Sequence, residues 1–192
     1  MQKEIVFLVA LIILVVLLAS AVKVFETNVE QADAKKFVLA DLNDKYPGAD
    51  SEIISMEEKQ NEQTQKYFHI KAKVTNNANA GCPQRMHVYY NYPEQNFEPE
   101  PVDYITSKCE VCREQPCVLA FPEEAIIASH TLPGSSKIDD FLSLYPTAYP
   151  LVEGLGNGWK VMWDSPVSSY YYVAEVATDG KIKSVARFEK EA

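Results

Sequence analysis

Four cysteines are the residues of this 192-residue chain best suited to chemistry, spaced C-x26-C-x2-C-x4-C from Cys82 through Cys109 and Cys112 to Cys117. Three chemistries use such a set. In an oxidising compartment an even number of cysteines in a loop-rich segment makes two disulfides, with three connectivities open. A zinc ion takes four thiolates, and the C-x2-C knuckle at Cys109 and Cys112 suits tetrahedral coordination, although the second knuckle is missing. A thiol–disulfide oxidoreductase uses a C-x-x-C pair at a helix N-terminus that depresses one thiol pKa. Here Glu110 and Glu114 oppose that depression and Lys108 and Arg113 favour it. The expectation is two disulfides, with zinc on Cys82, Cys109, Cys112 and Cys117, or redox work at Cys109 and Cys112, as alternatives.

Other reactive side chains offer less. His69 and His87 fall in strand patterns and His130 follows a short helix, with no H-x-x-x-H or H-E-x-x-H pairing. His130 is a substitute zinc ligand if Cys82 is not one. Gly154, Gly156 and Gly158 imitate a phosphate loop, but that mechanism needs a strand before and a helix after, and the order here is helix before and strand after. A turn is expected instead. The acidic pairs at 57–58, 123–124 and 139–140 are adjacent in sequence, so they do not converge on one bond. No serine sits in a nucleophile elbow. No catalytic residue and no cofactor are therefore expected, zinc being the alternative. Tyrosine runs at 89–92 and 170–172 alternate their faces along strands, which nominates Tyr89, Tyr90 and Tyr171 as partner contacts.

The elements that carry these residues can be read from periodicity. Thr27 and Glu30 form a capping box ahead of a helix with its stripe at Val38, Leu39, Leu42 and Tyr46, stopped by Pro47 and Gly48. A second helix starts behind Ser135 and Ser136, with its stripe at Ile138, Phe141, Leu142 and Tyr145, stopped by Pro146. Strand patterns follow each helix. They lie at 53–57, 68–74 and 85–92 after the first, and at 159–164, 170–176 and 182–188 after the second. Asp179 and Gly180 mark a tight hairpin, and asparagines 76, 77 and 79 a looser turn. The reading is α+β: helix-on-antiparallel-sheet units at 27–92 and 134–192, duplicated in plan, flanking a proline- and cysteine-rich insertion at 93–133. One short helix is expected near the insertion's end, with Pro122 first and Glu123 and Glu124 in its first turn.

Residues 5–19 are all apolar, and only Ser20 interrupts the run before Val22. A helix of that length spans about 27 Å, close to a bilayer's hydrocarbon core. Residues 1–24 are thus expected to be a transmembrane anchor or uncleaved signal, although Ala19, Ser20 and Ala21 fit a cleavage pattern. A long C-terminal part after such a segment is expected outside the cytoplasm, with membrane lipid as one partner. The net charge of −9 speaks against nucleic acid.

Residues 168–189, SSYYYVAEVATDGKIKSVARFE, resemble the hairpin of PepSY-type domains, where an aromatic-rich strand turns through Asp-Gly-Lys into a valine-rich one. The preceding helix and the Trp159/Trp163 strand are compatible with that cystatin-like plan. The resemblance covers the chain from Ser135 onward; the first unit has asparagines where Asp-Gly-Lys would stand, and the insertion has no counterpart. It implies an exported or membrane-attached domain that holds or inhibits a partner. The expected function is accordingly a membrane-anchored, extracytoplasmic, non-enzymatic domain binding a protein or peptide, as part of an envelope complex.

Overall fold

The computed structural model describes residues 30–95, 98–113 and 116–191. The apolar run at 5–22 and Thr27 lie outside them. Among the described residues no helix is long and apolar enough to cross a membrane.

Helix α1 (Gln31–Lys45) is followed by β1 (Asp50–Gln60), β2 (Lys66–Asn76), β3 (Gln84–Tyr92) and the short β4 (Asp103–Tyr104). After the cysteine-rich insertion come α2 (Pro122–Thr131) and α3 (Ser136–Leu144), then β5 (Tyr149–Leu155), β6 (Gly158–Asp164), β7 (Tyr170–Ala177) and β8 (Ile182–Glu189). The strands form two four-stranded antiparallel sheets, each in chain order. The described residues form an α+β fold of three helices on two meanders.

In the first unit, Ala34, Val38 and Leu42 repeat every four residues, so they share one line down α1. They pack on Ile70, Ala72, Val74 and Met86, the alternate residues of β2 and β3. Leu39, expected in the stripe, is 37% exposed. It lies about 100° round the helix from Val38, and this sheet covers only a narrow band. The helix begins at Gln31 with Glu30 as its N-cap, so Glu30 sits at the helix boundary rather than one turn inside it.

In the second unit, Ile138 and Phe141 are buried and Leu142 and Tyr145 partly so, which is the expected stripe of α3. Helix α2 shares that core through Ala125, Ile126 and Ala128, over Val161, Trp163, Ala174 and Val176. Its start is the expected one: Pro122 occupies the first turn, and the Glu124 carboxylate accepts from the backbone N–H groups of Ala120 (2.7 Å) and Phe121 (2.9 Å).

Strand β5 has no counterpart in the sequence reading, because Pro150 and the glycines after it resemble breakers. It is an outer strand, where a missing N–H is tolerated. The expected turn is residues 156–157 alone, with Gly154 inside β5 and Gly158 opening β6, so a strand precedes it, not a helix. Gly158 is required there: a Cβ at this position would lie 2.3 Å from the Val176 carbonyl oxygen.

Two disulfides join Cys82 to Cys109 and Cys112 to Cys117, and no described cysteine is free. The first binds the β2–β3 turn to the insertion. The second rests on the β7–β8 turn, where a side chain at Gly180 (φ +82°) would meet its sulfurs at 2.7 and 2.9 Å. Nearby, the Leu119 N–H donates to the Thr178 carbonyl at 2.7 Å. The insertion thus touches both units. The bridges span 27 and 5 residues, and loop-closure entropy makes the longer one worth about 3.5 kcal/mol and the shorter about 2 kcal/mol. Urea unfolding of the Cys82→Ala/Cys109→Ala and Cys112→Ala/Cys117→Ala pairs is expected to show that order.

Candidate functional site

Three places gather side chains with something to offer. The first is the face of the second sheet turned away from α2 and α3. Because strand side chains alternate, burying Val152, Val161, Trp163, Ala174 and Val185 on the helix side sends their neighbours outward. The register aligns Leu151, Met162, Val173 and Ala186 in one row across all four strands. Beside it Tyr171 pairs with Phe188, their rings stacked at 5.4 Å. Leu151 is 49% and Phe188 45% exposed. On the row's other flank stand Glu153, Lys160 and Glu175, with Lys160 and Glu153 paired at 3.2 Å. An apolar band six residues in extent with a charged border is unusual for a face that no described helix or strand covers.

The three nominated tyrosines divide between the sheets. Tyr171 belongs to this band. Tyr89 lies on the outer face of the first sheet, its ring stacked on His69 at 6.1 Å with the Lys71 ammonium 5.6 Å from its centre. Tyr90 turns the other way, toward α1, where its hydroxyl donates to Asp41 at 2.9 Å. Burial and the Asp41 carboxylate both push that phenol well above its ordinary pKa.

The second place is a cluster of sulfur and imidazole. Cys82 comes from the β2–β3 turn, Cys109 from the insertion and His130 from the last turn of α2. Their ligand atoms all lie within 4.8 Å of one another. His130 Nε2 is 3.9 Å from the Cys109 sulfur and 2.8 Å from the Gly81 carbonyl oxygen, and its ring meets Trp163 edge-on at 5.5 Å. Burial lowers its pKa, so the ring is neutral at pH 7. Cys109 and Cys112, the C-x2-C pair, are not bonded to each other, and the four thiols are divided between two separate bridges. Neither the four-thiolate zinc arrangement nor the Cys109–Cys112 redox pair is formed.

The third place is a buried polar joint between the first sheet and α2. Glu123, only 6% exposed, accepts from Arg85 Nη1 at 3.0 Å and from the Thr75 hydroxyl at 2.9 Å. The Arg85 guanidinium also lies 4.0 Å over the Phe121 ring, and His87 meets that ring edge-on. Burial first, then Lys71 and Arg85, lower the His87 pKa, against the opposing pull of Asp103 at 3.5 Å. The buried Arg85 and Glu123 charges neutralise each other inside the joint, as in a structural contact, while Arg85 Nε and His87 Nδ1 make no hydrogen bond.

One further open depression is lined by Gly48, Ala49, Asp50 and residues 77–80. Its one ionisable group, Asp50, is paired with Lys73 at 2.9 Å. The apolar band was legible in part, through the parity of Tyr171. The joint was not, since it draws on segments far apart in the chain, and of the cysteine–histidine cluster the sequence offered His130 only as a substitute for Cys82. Compared with family models, with curated proteins and with solved structures, the chain matches none of them.

Proposed function

We propose that this chain is a membrane-anchored, extracytoplasmic, non-enzymatic domain that holds a protein or peptide partner, as a subunit of an envelope complex, on the outer face of its second sheet. The observation that carries the reading is the band of Leu151, Met162, Val173, Ala186, Tyr171 and Phe188 across four strands, with Leu151, Ala186 and Phe188 exposed and Met162, Val173 and Tyr171 half-buried. Apolar and aromatic side chains left in water with a charged border are what an interface core and rim look like before the partner arrives. The net charge of −9 selects a partner whose docking segment is apolar with neutral or basic flanks.

Two further features support the address. Two disulfides belong to an oxidising compartment, outside the cytoplasm. The apolar run at 5–22 is long enough to tether the chain to a bilayer. The helix and hairpin from residue 136 onward agree with the PepSY-like plan, and we read the two helix-on-meander units as copies of one ancestral unit.

The test compares the full-length protein, extracted from membranes with its bound partners, with a Val173→Glu/Leu151→Glu variant. Both positions are on the open face, so thermal unfolding should move by no more than a few degrees. Co-purification of a specific partner is expected to fall at least tenfold, and a partner retained equally by the variant rules out this face. Turnover of any substrate that a single substitution abolishes without unfolding the protein defeats the non-enzymatic part.

A further inference from the structure

The cysteine–histidine cluster holds more than a disulfide needs. A bridge between Cys82 and Cys109 is complete without an imidazole, yet His130 is brought to it from another element and held in place. The Trp163 edge fixes the plane of its ring, and the Gly81 carbonyl fixes the direction of Nε2. Three segments (a hairpin turn, the insertion and the end of α2) converge on one point. All three ligand atoms lie within 4.8 Å of one another.

We infer that Cys82, Cys109 and His130 form a zinc site that becomes available when the Cys82–Cys109 bond is reduced. Tetrahedral zinc with bonds of about 2.3 Å to sulfur and about 2.1 Å to nitrogen sets the two ligand atoms roughly 3.6 Å apart. Cys109 Sγ and His130 Nε2 already stand at 3.9 Å. The sulfurs have to separate and Nε2 has to turn from the Gly81 carbonyl, and Cys82 is exposed at the end of a turn, where it can move.

The chemistry balances with a thiol or phosphine reductant. Reduction supplies two electrons and two protons, the S–S bond breaks and two S–H bonds form; a thiol reductant leaves as its disulfide, and a phosphine as its oxide, with one water molecule supplying the oxygen and both protons. Zinc then displaces one proton from each thiol. The neutral imidazole gives up the Nε2–H bond to Gly81, its proton passes through water from Nε2 to Nδ1, and the freed Nε2 lone pair binds the metal. Two thiolates and one imidazole leave the fourth position to water. Metal and disulfide are thus alternative ties between the insertion and the β2–β3 turn, one for each redox state. The site stands independently of the sheet-face reading.

The test uses the full-length protein in detergent, reduced, desalted under inert gas, loaded with zinc ions and dialysed, with bound metal counted per chain. The oxidised protein is expected to bind none and the reduced protein one, with sub-micromolar affinity. The same stoichiometry is expected in a Cys112→Ser/Cys117→Ser background, which removes the other pair of thiols. His130→Gln keeps an N–H donor for Gly81 but is a poor zinc ligand, so it should weaken binding at least 100-fold while leaving the oxidised protein's unfolding midpoint in place. Cobalt in place of zinc should give a thiolate-to-metal charge-transfer band that Cys82→Ser halves. No zinc after reduction, or equal affinity in His130→Gln, overturns the assignment.

Discussion

Replacing Glu123 by alanine is expected to destabilise the protein by about 3–5 kcal/mol, because it leaves a buried guanidinium without its counter-charge. Arg85 is 7% exposed, and the carboxylate that neutralises it comes from a different unit of the fold. The Thr75 hydroxyl loses its acceptor in the same stroke. Desolvation was met when the joint closed, and after substitution the Coulombic return is gone while the burial remains. Urea unfolding should therefore show the midpoint falling sharply with little change in slope. A double variant, Arg85→Met/Glu123→Leu, should recover most of the loss, since removing both charges also removes the penalty. If the double variant is as unstable as Glu123→Ala, packing around Phe121 rather than charge governs the joint.

Trp163→Ala should be of similar size, about 3–5 kcal/mol, for a different reason. Its side chain is fully buried at the centre of the second core. The indole N–H donates to Ser129 Oγ at 2.9 Å, and the ring edge lies against Gly81 of the first unit. Alanine leaves a cavity too large for α2 to close, since α2 is held from its far side by the Arg85–Glu123 pair. Trp163→Phe fills most of that space but leaves the Ser129 hydroxyl oxygen without its donor, for a loss of about 1–2 kcal/mol. Circular dichroism is the measurement of choice, because Trp159 would confuse a fluorescence signal. Equal losses in the two variants would show that the hydrogen bond, not the volume, is what matters.

The elements legible in the sequence are those whose cause is local. The α3 stripe needs only the spacing of Ile138, Phe141 and Leu142, and the β7–β8 hairpin only Asp179, Gly180 and alternation on both sides. Strand β5 escaped because its context is not local: Pro150 is a breaker in a central strand and harmless at a sheet's border, and nothing within seven residues says which applies. Leu39 failed for a related reason, since how wide a stripe is buried depends on the sheet beneath the helix.

The sites follow the same division. Parity placed Tyr171 and Tyr89 on faces opposite to their neighbours, but which face the helices take is decided by the rest of the sheet, so Tyr90 ended against Asp41. Glu123 reads as a first-turn acid favouring the helix dipole. Its true partners are 48 and 38 residues away, and no short-range pattern announces them. The cysteine count pointed to two bridges, while the choice among three connectivities waited for the meeting of the β2–β3 turn with the insertion. His130 carried a faint sign, as a zinc ligand standing in for Cys82.

The imino acid near the beginning of β5 has a consequence beyond the strand that holds it. An open sheet can template its own growth, each new chain hydrogen-bonding to the last. Pro150 offers no N–H along that border. A molecule with an apolar face beside this margin is thereby less able to be extended sideways into a fibre from it.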